Sequence, residues 1–352
     1  MSGAAAPGGR ILRGMPRDVA PPEIVALADA RAAARRALDW TTADGLLAEI
    51  QAGGWRVVDS GTMYDLARMA PPDVVEGDVI RYGSSLSVPT RFDEAAAGVA
   101  SVILVATDWP DDLARAIRAI AAHAPAATQV VVVANDPSDA QAAALAGVDA
   151  PGTGDAAAPA AGIEVVWTGT RLGWAAALNA GIRRAAAPVV ILLDTSVELV
   201  DDLVTELAST LEDATVAVTG PFGLVSTDMR RFEDAPEGSG DVDAIEGYAM
   251  AFRRSDYVTR GPLDEHFVFY RNLDIWWSLA LRDQAESEAD DAPPRRAVRV
   301  PSHSVSRHVH RGWTSLPDEE RSRASKKNYY RVLKRFATRR DLLVAGRAQS
   351  SR

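Results

Sequence analysis

The sequence places a carboxylate directly after a run of five apolar residues. Residues 189–193 read Val-Val-Ile-Leu-Leu, and Asp194 follows them. Such a run predicts a buried strand, and ligands of open α/β sheets bind at the carboxyl ends of the strands. Asp194 is therefore the first candidate for binding chemistry. Asn179 and Gly181 lie on the predicted helix that leads into this strand.

Asp274 directly precedes residues 275–281, which are apolar except for Ser278. An aspartate in this position can cap a helix, so a purely structural role is one interpretation of Asp274.

Apolar runs alternate with helix-forming segments through the middle of the chain. This alternation predicts a mostly parallel sheet with helices on both faces. The predicted strands are 100–107, 129–134, 163–167, 189–193 and 215–219, and the predicted helices are 110–122, 172–186 and 201–211. Residues 150–162 are rich in Ala, Gly and Pro and are predicted to form a loop.

The order of motifs between about residues 100 and 340 resembles that of the family 2 glycosyltransferases, which move a sugar from a nucleotide to an acceptor. The matching motifs are Asn135 with Asp139, Arg171-Leu-Gly173 with Asn179-Ala-Gly181, Asp194-Thr-Ser196, Glu246-Gly247, Gly261-Pro-Leu-Asp264-Glu265 and Asn272-Leu-Asp274. The resemblance implies an α/β nucleotide-sugar transferase fold of the GT-A type, a Rossmann-like mixed sheet flanked by helices. It also implies a nucleotide-diphosphate donor and a glycan, lipid or small-molecule acceptor.

The same resemblance implies a role for each matching residue. The residues that would bind the donor are Asn135, Asp139, Arg171, Gly173, Asn179 and Asp194. Those that would bind the acceptor are Gly247, Asp264, Glu265 and Trp277. The general base would be Asp274 as the first choice and Glu246 as the second. Mg²⁺ or Mn²⁺ would be held by Asp194 with His310, the second histidine of His308-Val-His310. Arg171 or Arg311 is the alternative means of neutralising the diphosphate without a metal.

Three positions that are acidic in the family are not acidic here. They are Ala134, Ser196 and Asn272. Serine is a weak, neutral metal ligand, and asparagine cannot accept a proton. Asp136 or Asp139 could replace the first lost carboxylate. These departures support a second hypothesis, a catalytically silent nucleotide-sugar-binding protein on the same fold.

Composition limits the other classes of function. The 352 residues include no cysteine, which excludes disulfides and zinc-thiolate sites, and the formal net charge of −10 argues against a DNA-binding protein. No segment has the apolar length of a signal peptide or of a membrane span. We therefore expect a cytoplasmic protein.

The chain is expected to divide into five parts. These are a disordered N-terminus (1–20), a small helical hairpin module (21–75), a linker (76–99), the α/β domain (100–315) and a basic amphipathic helix with a tail (316–352). In the module, Thr41 with Asp44 is expected to cap the second helix.

Residues 31–59 of the module resemble the C-terminal helical domain of cysteinyl-tRNA synthetases, which implies an RNA-associated protein as a weaker alternative. Residues 1–75, however, carry eight basic and nine acidic side chains. A near-neutral surface makes few phosphate contacts, so tRNA binding is not expected and packing or protein contacts are preferred.

The C-terminal segment 321–352 carries eleven basic side chains and one acid. Tyr329, Val332, Leu333 and Phe336 follow an i, i+3, i+4, i+7 spacing, which predicts an amphipathic helix. Docking of the apolar stripe on the domain is one interpretation. Peripheral attraction of the basic face to anionic lipid at the inner membrane surface, or to a charged acceptor, is the other.

Overall fold

A computed structural model describes residues 20–60, 63–146, 162–284 and 293–345. The segment 1–19, expected to be disordered, and nearly all of the expected loop 150–162 lie outside these residues. The chain divides into two compact units, Met1–Pro72 and Asp73–Arg352. No helix in the described ranges is both long and apolar enough to cross a membrane.

The first unit combines a helical hairpin with a β-hairpin. Its elements are α1 (Pro22–Arg36), α2 (Trp40–Ala52), β1 (Trp55–Ser60) and β2 (Met63–Arg68), and the two strands pair antiparallel. A small core contains Ile24, Ala28, Ile50 and Trp55. The expected helical hairpin is present, whereas strand β2 was not predicted. Its capping assignment was also wrong, because α2 begins before Thr41 and the Asp39 side chain accepts the Thr42 N–H at 3.1 Å.

The second unit carries the larger fold. Its strands are β3 (Val74–Glu76), β4 (Val79–Tyr82), β5 (Ala100–Ala106), β6 (Gln129–Ala134), β7 (Ile163–Thr168), β8 (Val189–Leu193), β9 (Val197–Leu199), β10 (Val216–Gly220), β11 (Gly223–Val225), β12 (Glu233–Asp234), β13 (Gly240–Val242), β14 (Ala244–Ile245), β15 (Ala249–Arg253), β16 (Arg296–Arg299) and β17 (Val305–Arg307). Its helices are α3 (Pro110–His123), α4 (Asp139–Ala146), α5 (Trp174–Ile182), α6 (Leu203–Thr210), α7 (Arg254–Arg260), α8 (Leu273–Arg282), α9 (Arg311–Thr314) and α10 (Asp318–Phe336), followed by a 3-10 turn (Arg340–Leu342).

Ten strands form one mixed sheet in the order β13-β16-β10-β15-β8-β5-β6-β7-β4-β3. The central strands β8, β5, β6 and β7 are parallel. Strand β15 inserts antiparallel between β8 and β10. The expected mixed α/β fold is thus confirmed, and the antiparallel insertion places the chain before β15 beside the end of β8.

Two sequence expectations about the limits of the elements were wrong. Residues 76–99 are not a plain linker, because β4 pairs with β7 and β3 with β4, so the sheet extends to Val74. The helix expected over 172–186 covers only Trp174–Ile182. Beyond it the chain leaves the helix in turns, in which the Ala185 N–H donates to the Ile182 carbonyl at 2.9 Å.

The sheet is covered on both faces because successive strand residues point to opposite sides. Val131 and Val133 of β6 belong to one apolar cluster with residues of α5, α8 and α10, whereas Val130 and Val132 belong to a second cluster with residues of α3 and α6. The apolar stripe of α10 is docked on the domain, since its Val332 and Phe336 are fully buried in the same cluster as Trp277.

Gly220, at the end of β10, offers a test of this packing. A Cβ there would lie 2.3 Å from the Ala249 carbonyl oxygen, and a backbone atom cannot move aside cheaply. We expect Gly220→Ala to lower the free energy of unfolding by about 1–3 kcal/mol in chemical denaturation. Gly169→Ala is the control, because its nearest contact would be 3.7 Å. Equal stabilities of the two variants would contradict the close approach of β10 and β15.

Candidate active site

A cavity opens where β5 and β8 reach their carboxyl ends. Its empty volume is about 740 Å³, the part open to solvent included. The polar or aromatic residues that line it are Trp174, Asp194, Glu246, Tyr248, Tyr270, Arg271, Asp274, Trp277 and His310. The remaining lining residues are Gly247 and apolar side chains, among them Val105, Leu178, Leu192 and Met250. A concave site lined by apolar side chains with a few converging polar groups is typical of a small-molecule site.

Six of the residues singled out from the sequence therefore surround one cavity. They are Asp194, Glu246, Gly247, Asp274, Trp277 and His310. Trp277 is buried, and its Nε1 has no hydrogen-bond partner within the described residues.

Asp194 follows β8 and is held in place by two hydrogen bonds. Its Oδ1 accepts the Ser196 N–H at 2.8 Å, and its Oδ2 lies 3.1 Å from His310 Nε2. Burial opposes ionisation, but the interactions with His310 and Ser196 outweigh it, so the pKa of Asp194 is lowered. The cavity thus contains a fixed carboxylate.

His310 is oriented by the short helix that it caps. Its Nδ1 accepts the Trp313 N–H at 2.9 Å, so the proton of the neutral ring is assigned to Nε2, which donates to Asp194. The ring also lies 4.5 Å, centroid to centroid, from Tyr270. Both ring nitrogens are thereby engaged.

Glu246 and Asp274 form the second acidic group of the cavity. The pKa of Glu246 is raised to about 7, mainly by burial; Arg307 and Arg271 oppose the rise, and the nearby Asp274 contributes to it. Burial also raises the pKa of Asp274, although its carboxylate accepts the Gly247 N–H at 3.0 Å and the Ile275 N–H at 2.9 Å. A carboxyl group that titrates near neutral pH is suited to general base catalysis.

The titration of Glu246 predicts a pH-dependent stability. Its folded pKa of about 7 exceeds the ordinary value of 4.5, so the folded protein keeps a proton that the unfolded chain has released. Stability is therefore lost as the pH rises from 4.5 to about 7. Relative to Glu246→Gln the wild type should lose roughly 3 kcal/mol, since one pKa unit is worth about 1.4 kcal/mol. Chemical denaturation from pH 4 to 8 measures this difference, and a difference independent of pH would show that Glu246 is not buried as described.

The cap interpretation of Asp274 is not what the structure shows. Asn272 occupies the cap position of α8 in a left-handed conformation (φ 69°), and Asp274 lies in the first turn with one oxygen bound to the Gly247 N–H. The Asn272 side chain donates to the Ser325 carbonyl of α10 at 3.0 Å. The asparagine in place of the family's acid thus joins two helices and does not line the cavity.

Asn179 has a structural role in place of the expected contact with the nucleotide. Its Nδ2 donates to the Leu263 carbonyl at 2.9 Å and to Glu265 at 3.0 Å. Its Oδ1 accepts the Leu263 N–H and the Tyr257 hydroxyl. All of its hydrogen-bonding capacity is used inside the protein, so Asn179 and Glu265 fix the loop before α8.

Asn135 and Gly173, also expected at the donor, are likewise engaged in packing. The Asn135 side chain exchanges two hydrogen bonds with the backbone of Leu172, at 2.8 and 3.1 Å. At Gly173 a Cβ would approach the Val268 Cα to 3.1 Å, so the glycine permits close packing against Val268. Neither residue lines the cavity.

The remaining expected contacts also lie away from the cavity. Asp139 is exposed at the start of α4. The Asp264 carboxylate accepts the His266 N–H at 3.0 Å. Arg171 lies 3.3 Å from Asp108, and Arg311 lies 3.0 Å from Asp112. Both arginines are therefore neutralised by neighbouring acids.

Two arginines that the sequence analysis did not select lie at the cavity instead. Arg271 lines it, with its guanidinium carbon 5.2 Å from the ring centroid of Trp313. The guanidinium carbon of Arg307 lies 3.9 Å from the ring centroid of Tyr248, a lining residue. Position next to the matched motif Asn272-Leu-Asp274 was the only sequence signal for Arg271.

A model of the family described as Glycosyl transferase family 2 matches residues 101–271. This segment is therefore similar to family 2 glycosyltransferase domains. It includes Asp194, Glu246 and Arg271, whereas Asp274 and His310 follow it. No curated protein sequence matches the chain.

One solved glycosyltransferase structure shares the fold. GalNAc-T7, crystallised with UDP, GalNAc and Mn²⁺, aligns with a TM-score of 0.52 and 16% identity over 68% of this chain. The match spans about half (48%) of the GalNAc-T7 chain. The mannosyltransferase PcManGT from Pyrobaculum calidifontis, in complex with GDP-Man and Mn²⁺, is 17% identical, with a TM-score of 0.41 over 62% of this chain and 59% of its own. S. aureus TarS 1–349, in complex with UDP, is 11% identical, with a TM-score of 0.43 over 67% and 72%.

The resemblance of residues 31–59 to cysteinyl-tRNA synthetases finds no support in these comparisons. The family match begins only at residue 101. Residues 55–60 pair with 63–68 in a β-hairpin, so the segment belongs to a mixed unit and not to a purely helical module.

The residues around Asp194 do not fit the expected divalent metal. No group of three or more His, Asp or Glu side chains in the described ranges is arranged to hold an ion. Ser196, at the position of the family's second carboxylate, is buried and does not line the cavity. Since His310 carries its proton on Nε2, that nitrogen has no lone pair for a metal.

Proposed function

We propose that this protein transfers a sugar from a nucleoside-diphosphate donor to an acceptor hydroxyl, with Glu246 as the general base. The observation that carries the proposal is the position of Glu246, with its pKa of about 7, in the same cavity as the ionised Asp194. The match to the family 2 model over residues 101–271 supports the same activity.

Each group in the cavity has a task in this reaction. The acceptor oxygen forms a bond to the anomeric carbon, and its proton passes to the Glu246 carboxylate. The bond between the anomeric carbon and the phosphate oxygen breaks, and its electron pair stays on that oxygen. Asp194 keeps free lone pairs beside its two hydrogen bonds, so it can accept a donor hydroxyl. Asp274 accepts a hydrogen bond from the Gly247 N–H and thereby fixes the backbone next to Glu246.

The non-acidic residues Ala134, Ser196 and Asn272 leave a second candidate, a silent protein that binds the nucleotide sugar. The two candidates differ in turnover but not in donor binding. The test is a panel of nucleotide sugars carrying UDP, GDP or dTDP, with binding followed by calorimetry and release of the nucleoside diphosphate followed over time. Binding with release supports the transferase, and binding without release under any acceptor supports the silent protein. Absence of binding contradicts both.

A further inference from the structure

We propose that Arg271 and Arg307, and not a divalent cation, neutralise the departing nucleoside diphosphate. This inference rests on the proposed function and names the groups that meet the leaving group. When the bond to the anomeric carbon breaks, the phosphate oxygen retains the electron pair and gains negative charge. Guanidinium groups bind such oxygens through two parallel charge-assisted hydrogen bonds.

The charges around the cavity single out these two arginines. Arg171 and Arg311 are paired with Asp108 and Asp112. Neither Arg271 nor Arg307 forms an ion pair with any carboxylate of the described residues. Both are close enough to Glu246 to oppose the rise of its pKa, so their positive charge lies near the acidic groups of the cavity.

Aromatic rings hold both guanidinium groups near the cavity. Arg271 is placed over Trp313 and Arg307 over Tyr248, at 5.2 and 3.9 Å from the ring centroids. Arg307 also lies 4.8 Å from the ring centroid of Phe222. Stacking of this kind limits the motion of the side chain while its N–H groups remain available.

Contacts of the residues on either side of His310 hold its segment in place. They keep the His310 ring in an orientation that does not suit a metal ligand. His308 Nε2 lies 2.7 Å from Glu198, and Arg311 Nε lies 3.0 Å from the buried Asp112. With the Trp313 N–H bound to Nδ1, the ring presents Nε2–H to Asp194. The pair Asp194–His310 therefore orients a carboxylate and does not form a cation site.

The test is calorimetric binding of UDP, GDP and dTDP to the full chain, with Mn²⁺ and with EDTA. The nucleotide that binds should show dissociation constants within about threefold in the two conditions. Arg271→Gln and Arg307→Gln should each weaken binding at least tenfold, the gain expected from a charge-assisted hydrogen bond being of this order. Arg118→Gln, on the exposed side of α3 and outside the cavity, is the control and should bind normally.

The outcomes separate this inference from the proposed function. Binding that requires Mn²⁺, or that Mn²⁺ strengthens more than about threefold, overturns the inference and leaves the transferase intact. Normal binding by folded Arg271→Gln and Arg307→Gln variants, judged by their thermal unfolding, also overturns it. If no nucleotide binds in either condition, the proposed function itself fails and the inference with it.

Discussion

Glu246→Gln should lower the turnover number by about 10²–10⁴-fold, the usual contribution of a general base. Glutamine keeps the size of the side chain but cannot accept the proton of the acceptor hydroxyl. Binding of the nucleoside diphosphate should change little, because the proton transfer occurs on the acceptor side. Steady-state release of nucleoside diphosphate, together with calorimetry on the same variant, measures both effects.

The pH dependence of the wild type provides a second readout of the same residue. A base must be deprotonated to act, so kcat/KM should rise with pH and level off above the Glu246 pKa of about 7. The residual activity of Glu246→Gln should lack this rise. Asp274→Asn is the matched comparison. If it abolished the rise and Glu246→Gln did not, the base would be Asp274 and our assignment would be wrong.

Asp194→Ala should weaken binding of the nucleotide sugar by about 10–150-fold, since a hydrogen bond to a charged group contributes roughly 1.5–3 kcal/mol. The substitution removes the ionised acceptor at the end of β8 and leaves His310 Nε2–H without its partner. Calorimetric titration with the donor measures the loss. Circular dichroism and thermal unfolding establish that the variant is folded.

Asp139→Ala is the control for this experiment. The sequence motif assigned Asp139 to the nucleotide, but the structure places it exposed at the start of α4, outside the cavity. Unchanged affinity of Asp139→Ala beside a weakened Asp194→Ala would favour the cavity as the donor site. Equal losses of affinity in the two variants would mean that the donor contacts both Asp194 and Asp139. The cavity would then be only part of the donor site.

Local sequence patterns were sufficient for the central fold because strands and helices of this kind depend mainly on nearby residues. The strands predicted over 100–107, 129–134, 163–167 and 189–193 correspond to β5, β6, β7 and β8 of the large sheet. The carboxylate after the last of them, Asp194, lines the cavity because the carboxyl ends of parallel strands share one edge.

Motif order was a poorer guide to side-chain roles. Asn179 and Asn135 occupy the expected positions along the chain, yet both side chains form hydrogen bonds with the backbone of other segments, Asn179 with Leu263 and Asn135 with Leu172. Whether an amide side chain meets a ligand or a backbone depends on which loop packs against it. That packing is formed by residues distant in the sequence, so the motif alone could not decide it.

The sequence by itself determined the α/β architecture, the carboxylate at the end of β8 and the pair of candidate bases. Only the tertiary structure decided how these groups work together. Strand β15 pairs antiparallel with β8, and the Asp194 N–H donates to the Tyr248 carbonyl at 2.9 Å, which brings Glu246 and Asp194 to one cavity. The pKa of Glu246 and the pairing of Asp194 with His310 then follow from burial and contact between segments far apart in the chain, and no local pattern encodes either.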